Sequence, residues 1–233
     1  MGQPAFKWLL FFSAFINFLL GFINVLLQPL IIGLSSEQTL GVVLSVTGIR
    51  MLLGGILISV WGGPKNRING VFISCMVAGV LIVLIGFTTS IGFITACFFF
   101  YLFLIPIVNS SSQALWQSKV DPTIQGRVFA IRRMLGISLF PLAIIIAGPL
   151  VDRVFNPLME QGGLLAGSIG QVIGVGEGRG IGLLFIITGI LFVIVTAVIY
   201  LQPKVRNMGK NIPDAIVEKE EQTVEKELLT ETV

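Results

Sequence analysis

The sequence predicts an all-α membrane protein with six transmembrane helices. Of its 233 residues, 55% are hydrophobic and only 12% are charged, whereas a soluble domain carries roughly 25% charged residues. The apolar residues are gathered into runs long enough for helices of ~20 residues, the length that crosses ~30 Å of hydrocarbon. This composition excludes a soluble enzyme, a secreted disulfide scaffold and a nucleic-acid-binding domain, so we expect lipid and not nucleic acid around the chain.

The predicted spans follow from the apolar runs taken in order. Residues 70–112 contain no Lys, Arg, Asp or Glu. At ~1.5 Å per residue they would extend about 64 Å, which is two crossings, with the turn near residues 88–92. The six predicted spans are approximately 8–33, 40–61, 70–88, 92–112, 127–150 and 180–201. They form one six-helix bundle over residues 1–201, and residues 202–233 form a charged cytoplasmic tail.

The basic residues predict the orientation of the bundle. Arg153 and Arg179 lie on one side of the predicted membrane. Ten lie on the other: Lys7, Lys65, Arg67, Lys119, Arg127, Arg132, Arg133, Lys204, Arg206 and Lys210. Because cytoplasmic loops carry an excess of Lys and Arg, we expect a multi-pass protein of the plasma (bacterial inner) membrane with both termini in the cytoplasm.

Polar residues inside the spans are the candidate substrate path, since polarity at membrane depth is costly. In the first span they fall on one helix face at spacings of three and four: Ser13, Asn17, Gly21, Asn24 and Gln28. Two interpretations stay open for this stripe. It could line a water-filled substrate path, or it could form interhelical hydrogen bonds in a packing seam.

Arg50 stands near the middle of the second span, where an arginine costs at least ~2.5–3.5 kcal/mol on insertion scales. The predicted spans hold no Asp or Glu, so its candidate neutral partners are Gln28, Asn24 and Asn109. Arg50 could instead pair with a carboxylate of a partner protein, face water and an anionic substrate group, or be tolerated by snorkelling. We place Arg50 and Asn109 with the polar stripe as candidate path residues.

Catalysis is not expected. The chain has no histidine, which excludes histidine metal ligands and histidine bases. The spans also lack the clustered carboxylates that an intramembrane hydrolase or transferase needs. We therefore predict no enzyme activity, no metal site and no cofactor.

The loop between the second and third spans resembles a cytoplasmic motif of the major facilitator superfamily, G-x-x-x-D-R-x-G-R. Gly62 and Arg67 match this pattern, while Asn66 stands in place of the aspartate and Asn69 in place of the second glycine. Three other stretches are similar to the macrolide-efflux-like and siderophore-exporter-like drug antiporters of that superfamily. They are residues 17–30, residues 125–130 at the start of the fifth span, and residues 147–152 at its end.

The resemblance implies the C-terminal six-helix half of a secondary-active, proton-coupled exporter of amphipathic small molecules. It also implies a second six-helix bundle as partner, supplied by an N-terminal half or by a second copy of the chain. The chain departs from the superfamily in having six helices instead of twelve, and in Arg50, where relatives carry a small residue. Two alternatives stay open: a homodimeric six-helix channel or transporter, and a truncated or vestigial membrane protein without autonomous transport.

Overall fold

The structure, a computed structural model, describes residues 4–64 and 66–206. This part of the chain is helical and contains no strand. Within it, six segments are long and apolar enough to cross a membrane: Phe6–Leu34, Glu37–Ile56, Arg67–Phe87, Ile91–Lys119, Gln125–Met159 and Arg179–Leu201. The predicted all-α fold with six membrane-spanning helices is confirmed. Of the charged tail predicted over residues 202–233, the part beyond Arg206 lies outside the described residues.

Ten α-helices build the described chain. The first four crossings are α1 (Pro4–Leu34), α2 (Glu37–Trp61), α3 (Arg67–Phe87) and α4 (Ile91–Lys119). The fifth crossing is divided into α5 (Gln125–Ser138), α6 (Phe140–Leu150), a π-helical turn (Val151–Phe155) and α7 (Asn156–Met159). The short α8 (Ile169–Ile173) precedes the last crossing, α9 (Arg179–Leu201), which α10 (Pro203–Arg206) follows.

Two helices extend beyond the ends predicted for their spans. The fourth continues past residue 112 to Lys119, and the fifth crossing continues past residue 150 to Met159. A helix satisfies its own backbone in lipid and in water alike, so hydropathy locates the membrane-embedded part and not the helix end. The break between α5 and α6 precedes Pro141, which has no N–H to donate to the carbonyl four residues earlier.

Aromatic contacts show which helix ends lie together. Phe6 near the start of α1 packs against Trp116 near the end of α4, with ring centroids 5.1 Å apart. Phe72 near the start of α3 packs against Tyr200 at the end of α9, at 5.5 Å. The Tyr200 hydroxyl also donates to Asn69 Oδ1 at 3.2 Å. These contacts bring helix starts beside helix ends, as alternating crossings require, and we call this side of the bundle its N-terminal end.

The most extensive helix pair, α3 with α9, depends on glycines that face each other. A Cβ added at Gly189 would lie 2.7 Å from the Gly79 carbonyl oxygen and 2.6 Å from Val83 Cγ2. One step further along the pair, a Cβ at Gly182 would lie 2.9 Å from the Gly86 carbonyl oxygen. Small residues let two backbones approach closely, which is how helices pack in lipid without a hydrophobic driving force.

Arg179 fixes the opposite end of the bundle from inside. Its side chain is only 2% exposed, although it was predicted to lie just outside the last span. The guanidinium donates to the Ile173 carbonyl at 2.8 Å and to the Thr88 carbonyl at 2.9 Å. These carbonyls lie at the end of α8 and just after α3, where unpaired helix carbonyls carry partial negative charge. Arg179 thus joins the segment before α9 to the end of α3.

A proline on α4 explains the position of Arg50 on α2. Arg50 Nη1 donates to the Leu102 carbonyl at 2.8 Å. In an uninterrupted helix this carbonyl would accept from the residue four positions later, but that residue is Pro106, which has no N–H. One turn beyond Arg50, a Cβ at Gly54 would lie 3.2 Å from Pro106 Cγ. Arg50 therefore satisfies the carbonyl that Pro106 leaves free, and Gly54 gives space to the proline ring.

The glycine packing of α3 on α9 predicts a large difference between two Gly→Ala changes. Gly189→Ala should lower the free energy of unfolding by about 1–3 kcal/mol, because the added methyl group overlaps the α3 backbone. Gly48→Ala on α2 is the matched control, since a Cβ there meets nothing within 4 Å. SDS titration of the protein in mixed micelles measures both. Equal stability of the two variants would contradict the close approach of α3 and α9.

The contact between Arg50 and α4 predicts a double-mutant coupling with Pro106. In a Pro106→Ala background, position 106 regains an N–H for the Leu102 carbonyl. Arg50→Leu should therefore lower the free energy of unfolding less in this background than in the parent protein. We expect a coupling free energy of about 1.5 kcal/mol, the value of a hydrogen bond from a charged donor. Unfolding free energies of the parent, the two single variants and the double variant measure it. Additive effects would show that the two residues act independently.

Candidate functional site

A cavity of about 130 Å³ lies between the helices toward the N-terminal end of the bundle. Residues of α1, α3 and α4 form most of its lining, and single residues of α5 and α9 complete it. The volume is sufficient for several water molecules or for part of a small ligand. It is the candidate functional site because it combines apolar walls with converging polar groups, the usual composition of a ligand pocket.

Polar and apolar residues both line the cavity, and α1 and α4 contribute residues of both kinds. Hydroxyl and amide groups come from α1 and α4, through Ser13, Asn17, Asn109 and Ser112, and Arg132 of α5 adds a cation. Aromatic and aliphatic side chains supply the rest of the wall, among them Phe12, Phe72, Tyr101, Leu104, Ile105, Val108 and Phe192. A ligand here would meet both hydrogen-bonding groups and apolar or aromatic surface, which suits an amphipathic compound.

The structure divides the predicted stripe of α1 into parts with different surroundings. Ser13 and Asn17 line the cavity, and Asn17 Nδ2 donates to the Ser13 carbonyl at 2.8 Å within its own helix. A Cβ at Gly136 of α5 would lie 3.6 Å from Ser13 Oγ and 3.7 Å from Asn17 Nδ2. Gly21 instead packs against α6, since a Cβ there would lie 2.5 Å from Ala143 Cβ. The stripe therefore combines cavity lining with helix packing.

The remainder of the stripe lies away from the cavity. Asn24 is exposed, and its Nδ2 donates to the Leu20 carbonyl at 2.9 Å in the same helix. Gln28 is also exposed. Neither residue is among those that line the cavity. Asn109, by contrast, lines the cavity and is exposed at its edge.

Arg50 is separate from this group. Its partner is the main-chain carbonyl of Leu102 and not the amide of Asn24, Gln28 or Asn109, which corrects the partners expected from the sequence. The sequence could rank side chains by polarity, but a main-chain carbonyl becomes available only because Pro106 lacks an N–H. Among the path residues predicted from the sequence, the cavity brings together Ser13, Asn17 and Asn109.

The loop with the resemblance motif connects two helices of the same bundle. Gly62 has a φ of +72°, a left-handed conformation that glycine adopts without strain. Asn66 caps α3, because its Oδ1 accepts from the Asn69 backbone N–H at 3.2 Å. Arg67 Nη1 donates to the Ala114 carbonyl of α4 at 2.7 Å. The motif residues therefore fix the start of α3 against the last part of α4.

Arg132, at the Trp116 end of the cavity, was not predicted from the sequence as a site residue. Arg132 was counted only as one of the basic residues that set orientation. In the structure its guanidinium carbon lies 5.3 Å from the centroid of the Trp116 ring, which is cation–π distance. The signal available in the sequence was its position, since Arg132 lies inside the fifth predicted span, 127–150, and not before it.

Comparison with known proteins gives a distant relationship. The chain is 26% identical over 106 residues to Macrolide efflux protein A of Streptococcus pyogenes and to the protein of the same name from Streptococcus pyogenes serotype M6. The similar region is 45% of this chain and 26% of each relative, so the chain matches about a quarter of their length. No family model matches the chain. No solved structure matches it. The chain is thus a multi-pass membrane protein with distant similarity to macrolide efflux proteins.

Proposed function

We propose that the chain is one six-helix half of a secondary-active exporter of amphipathic small molecules, belonging to the major facilitator superfamily. The observation that carries this proposal is the cavity between α1, α3 and α4, with Asn17 and Asn109 beside apolar and aromatic walls. The distant similarity to proteins named for macrolide efflux supports export as the direction of transport. Transport fits this site better than catalysis does, because the cavity offers binding groups without a histidine or carboxylate among its lining residues.

The proposed partner is a second six-helix bundle, either an N-terminal half or a second copy of the chain. Transporter sites of this kind lie between two bundles near the middle of the membrane. Asn24, Gln28 and Asn109 are exposed on the membrane-crossing helices, where contact with lipid would be costly. A second bundle would cover these amides and complete the cavity around the ligand.

Proton coupling and orientation belong to the same proposal. The ten basic residues on one predicted side favour cytoplasmic termini in a bacterial inner membrane. The six predicted spans contain no Asp or Glu, so an N-terminal half would supply the proton carrier; in a homodimer the carrier would be a carboxylate outside the predicted spans. The contact of Arg67 with Ala114 would tie α3 to α4 so that both helices move together when the cytoplasmic side opens.

Uptake into proteoliposomes with an acidic interior tests the proposal. A fluorescent amphipathic compound should accumulate, and accumulation should stop when the pH gradient is dissipated. Asn17→Leu should lower the initial rate about tenfold, the effect of losing roughly one hydrogen bond to the ligand. Ser45→Leu is the matched control, because Ser45 is exposed on α2 and donates only to the Gly41 carbonyl of its own helix.

Three results would contradict parts of the proposal. An equal loss in the Ser45→Leu control would show that the cavity is not the transport site. Uptake that is independent of the pH gradient would contradict proton coupling. Uptake by a species that crosslinking shows to be monomeric would show that one bundle transports alone. Absence of uptake at every protein density would reject a homodimeric exporter, and would leave a chain that needs an N-terminal half or a six-helix protein without autonomous transport.

A further inference from the structure

Arg132 places a positive charge at one end of the cavity. Its Nη2 donates to Ser112 Oγ at 2.7 Å and its Nη1 donates to Gln113 Oε1 at 3.2 Å. The guanidinium also lies over the Trp116 ring, whose other neighbour is Phe6. The side chain is half-buried and is held in one orientation by these contacts.

The groups that hold Arg132 leave its charge uncompensated. Both hydrogen-bond acceptors are neutral, and the part of the chain that the structure describes contributes no Asp or Glu to the cavity lining. A guanidinium carries five N–H donors in a planar fork that fits a carboxylate or a phosphate. Two of them are used by Ser112 and Gln113, so the remainder can serve a ligand. In a half-buried site the attraction between opposite charges is stronger than in water.

The cavity separates this charge from an apolar region. Ser112 and Trp116 are at the Arg132 end of the cavity. Tyr101 lies eleven residues before Ser112 on α4, about 16 Å away along the helix. Leu104, Ile105 and Val108 line most of the α4 wall between the two ends, and Asn109 adds one amide nearer to Ser112. A compound that fits both ends carries an anionic group at one end and an apolar or aromatic body at the other.

We propose that Arg132 forms an anion-binding subsite, which selects small amphipathic compounds bearing a carboxylate or a similar oxyanion. This inference rests on the proposed function in one respect, namely that the bound compound is the exported substrate. An anionic lipid headgroup has the same chemistry. The volume of about 130 Å³ favours a small compound over a phospholipid with two acyl chains.

Quenching of Trp116 fluorescence tests the subsite. The chain has three tryptophans, so Trp8→Phe with Trp61→Phe leaves Trp116 as the reporter in the full-length protein. The protein is placed in phosphatidylcholine nanodiscs and titrated with 4-(4-nitrophenyl)butanoate, its neutral amide, and 4-(4-nitrophenyl)butylamine. The carboxylate should bind about tenfold more tightly than the amide, as expected for one charge-assisted hydrogen-bonded pair. The amine should bind most weakly.

Two variants of Arg132 and one neighbouring control complete the test. Arg132→Gln should raise the Kd of the carboxylate about tenfold and change the Kd of the amide less than about twofold. Arg132→Lys should keep a preference for the carboxylate, because the charge remains. If Arg132→Gln loses amide binding through misfolding, Arg132→Lys still shows whether the charge at this position selects the carboxylate. Arg133→Gln removes the next charge along the chain, from an exposed position, and should leave all three affinities unchanged.

Several outcomes would overturn the inference. Equal affinities of the parent protein for carboxylate and amide would do so, as would an Arg133→Gln effect as large as that of Arg132→Gln.

Loss of carboxylate binding in nanodiscs containing phosphatidylglycerol would assign the site to a lipid headgroup; unchanged binding supports a small ligand. Selective binding without uptake in proteoliposomes would reject export but keep the subsite. Uptake of carboxylate and amide at equal rates, unaffected by Arg132→Gln, would reject the subsite but keep export.

Discussion

The requirement that polar groups inside the membrane find partners within the bundle determines how these helices fit together. Pro106 leaves the Leu102 carbonyl without its helical donor, and Arg50 of α2 supplies one at 2.8 Å. The same rule applies at the end of the bundle opposite its N-terminal end, where buried Arg179 donates to carbonyls at Ile173 and Thr88. Each of these arginines would be costly in the membrane without a partner. Paired with main-chain carbonyls, they connect neighbouring helices, and neither of them lines the cavity.

The cavity is possible because other parts of the bundle pack so closely. Glycines bring α3 and α9 into backbone contact at Gly79 and Gly189, and Gly21 does the same for α1 against Ala143 of α6. These contacts fix the positions of α3 and α1, which both line the cavity. The space that remains is lined by residues such as Asn17 and Arg132, which have partners in their own helix or on α4 and still face the cavity.

Much of the fold could be predicted from the sequence, because length and hydropathy alone decide which segments can cross a membrane. The polar face of α1 was also visible, since its spacing of three and four residues is a property of one helix. The role of each polar group was not visible, because it depends on which helices are neighbours. Arg50 and Pro106 are both evident in the sequence, yet their relationship requires α2 to pack on α4. The contacts of Arg132 likewise depend on α5 lying beside Ser112 and Trp116 of α4.

Ligand protection of a thiol in the cavity tests most directly whether this space is an aqueous binding site. In a Cys75→Ala, Cys97→Ala background, Asn17→Cys should react with a water-soluble methanethiosulfonate reagent, because Asn17 lines the cavity. Ser45→Cys should react slowly, because Ser45 lies away from the cavity on the outer surface of a membrane-crossing helix. A thiol there would be surrounded by lipid and not by water. Saturating 4-(4-nitrophenyl)butanoate should slow only the reaction at position 17. Equal rates at the two positions, or no protection at position 17, would contradict the assignment of the cavity as the site.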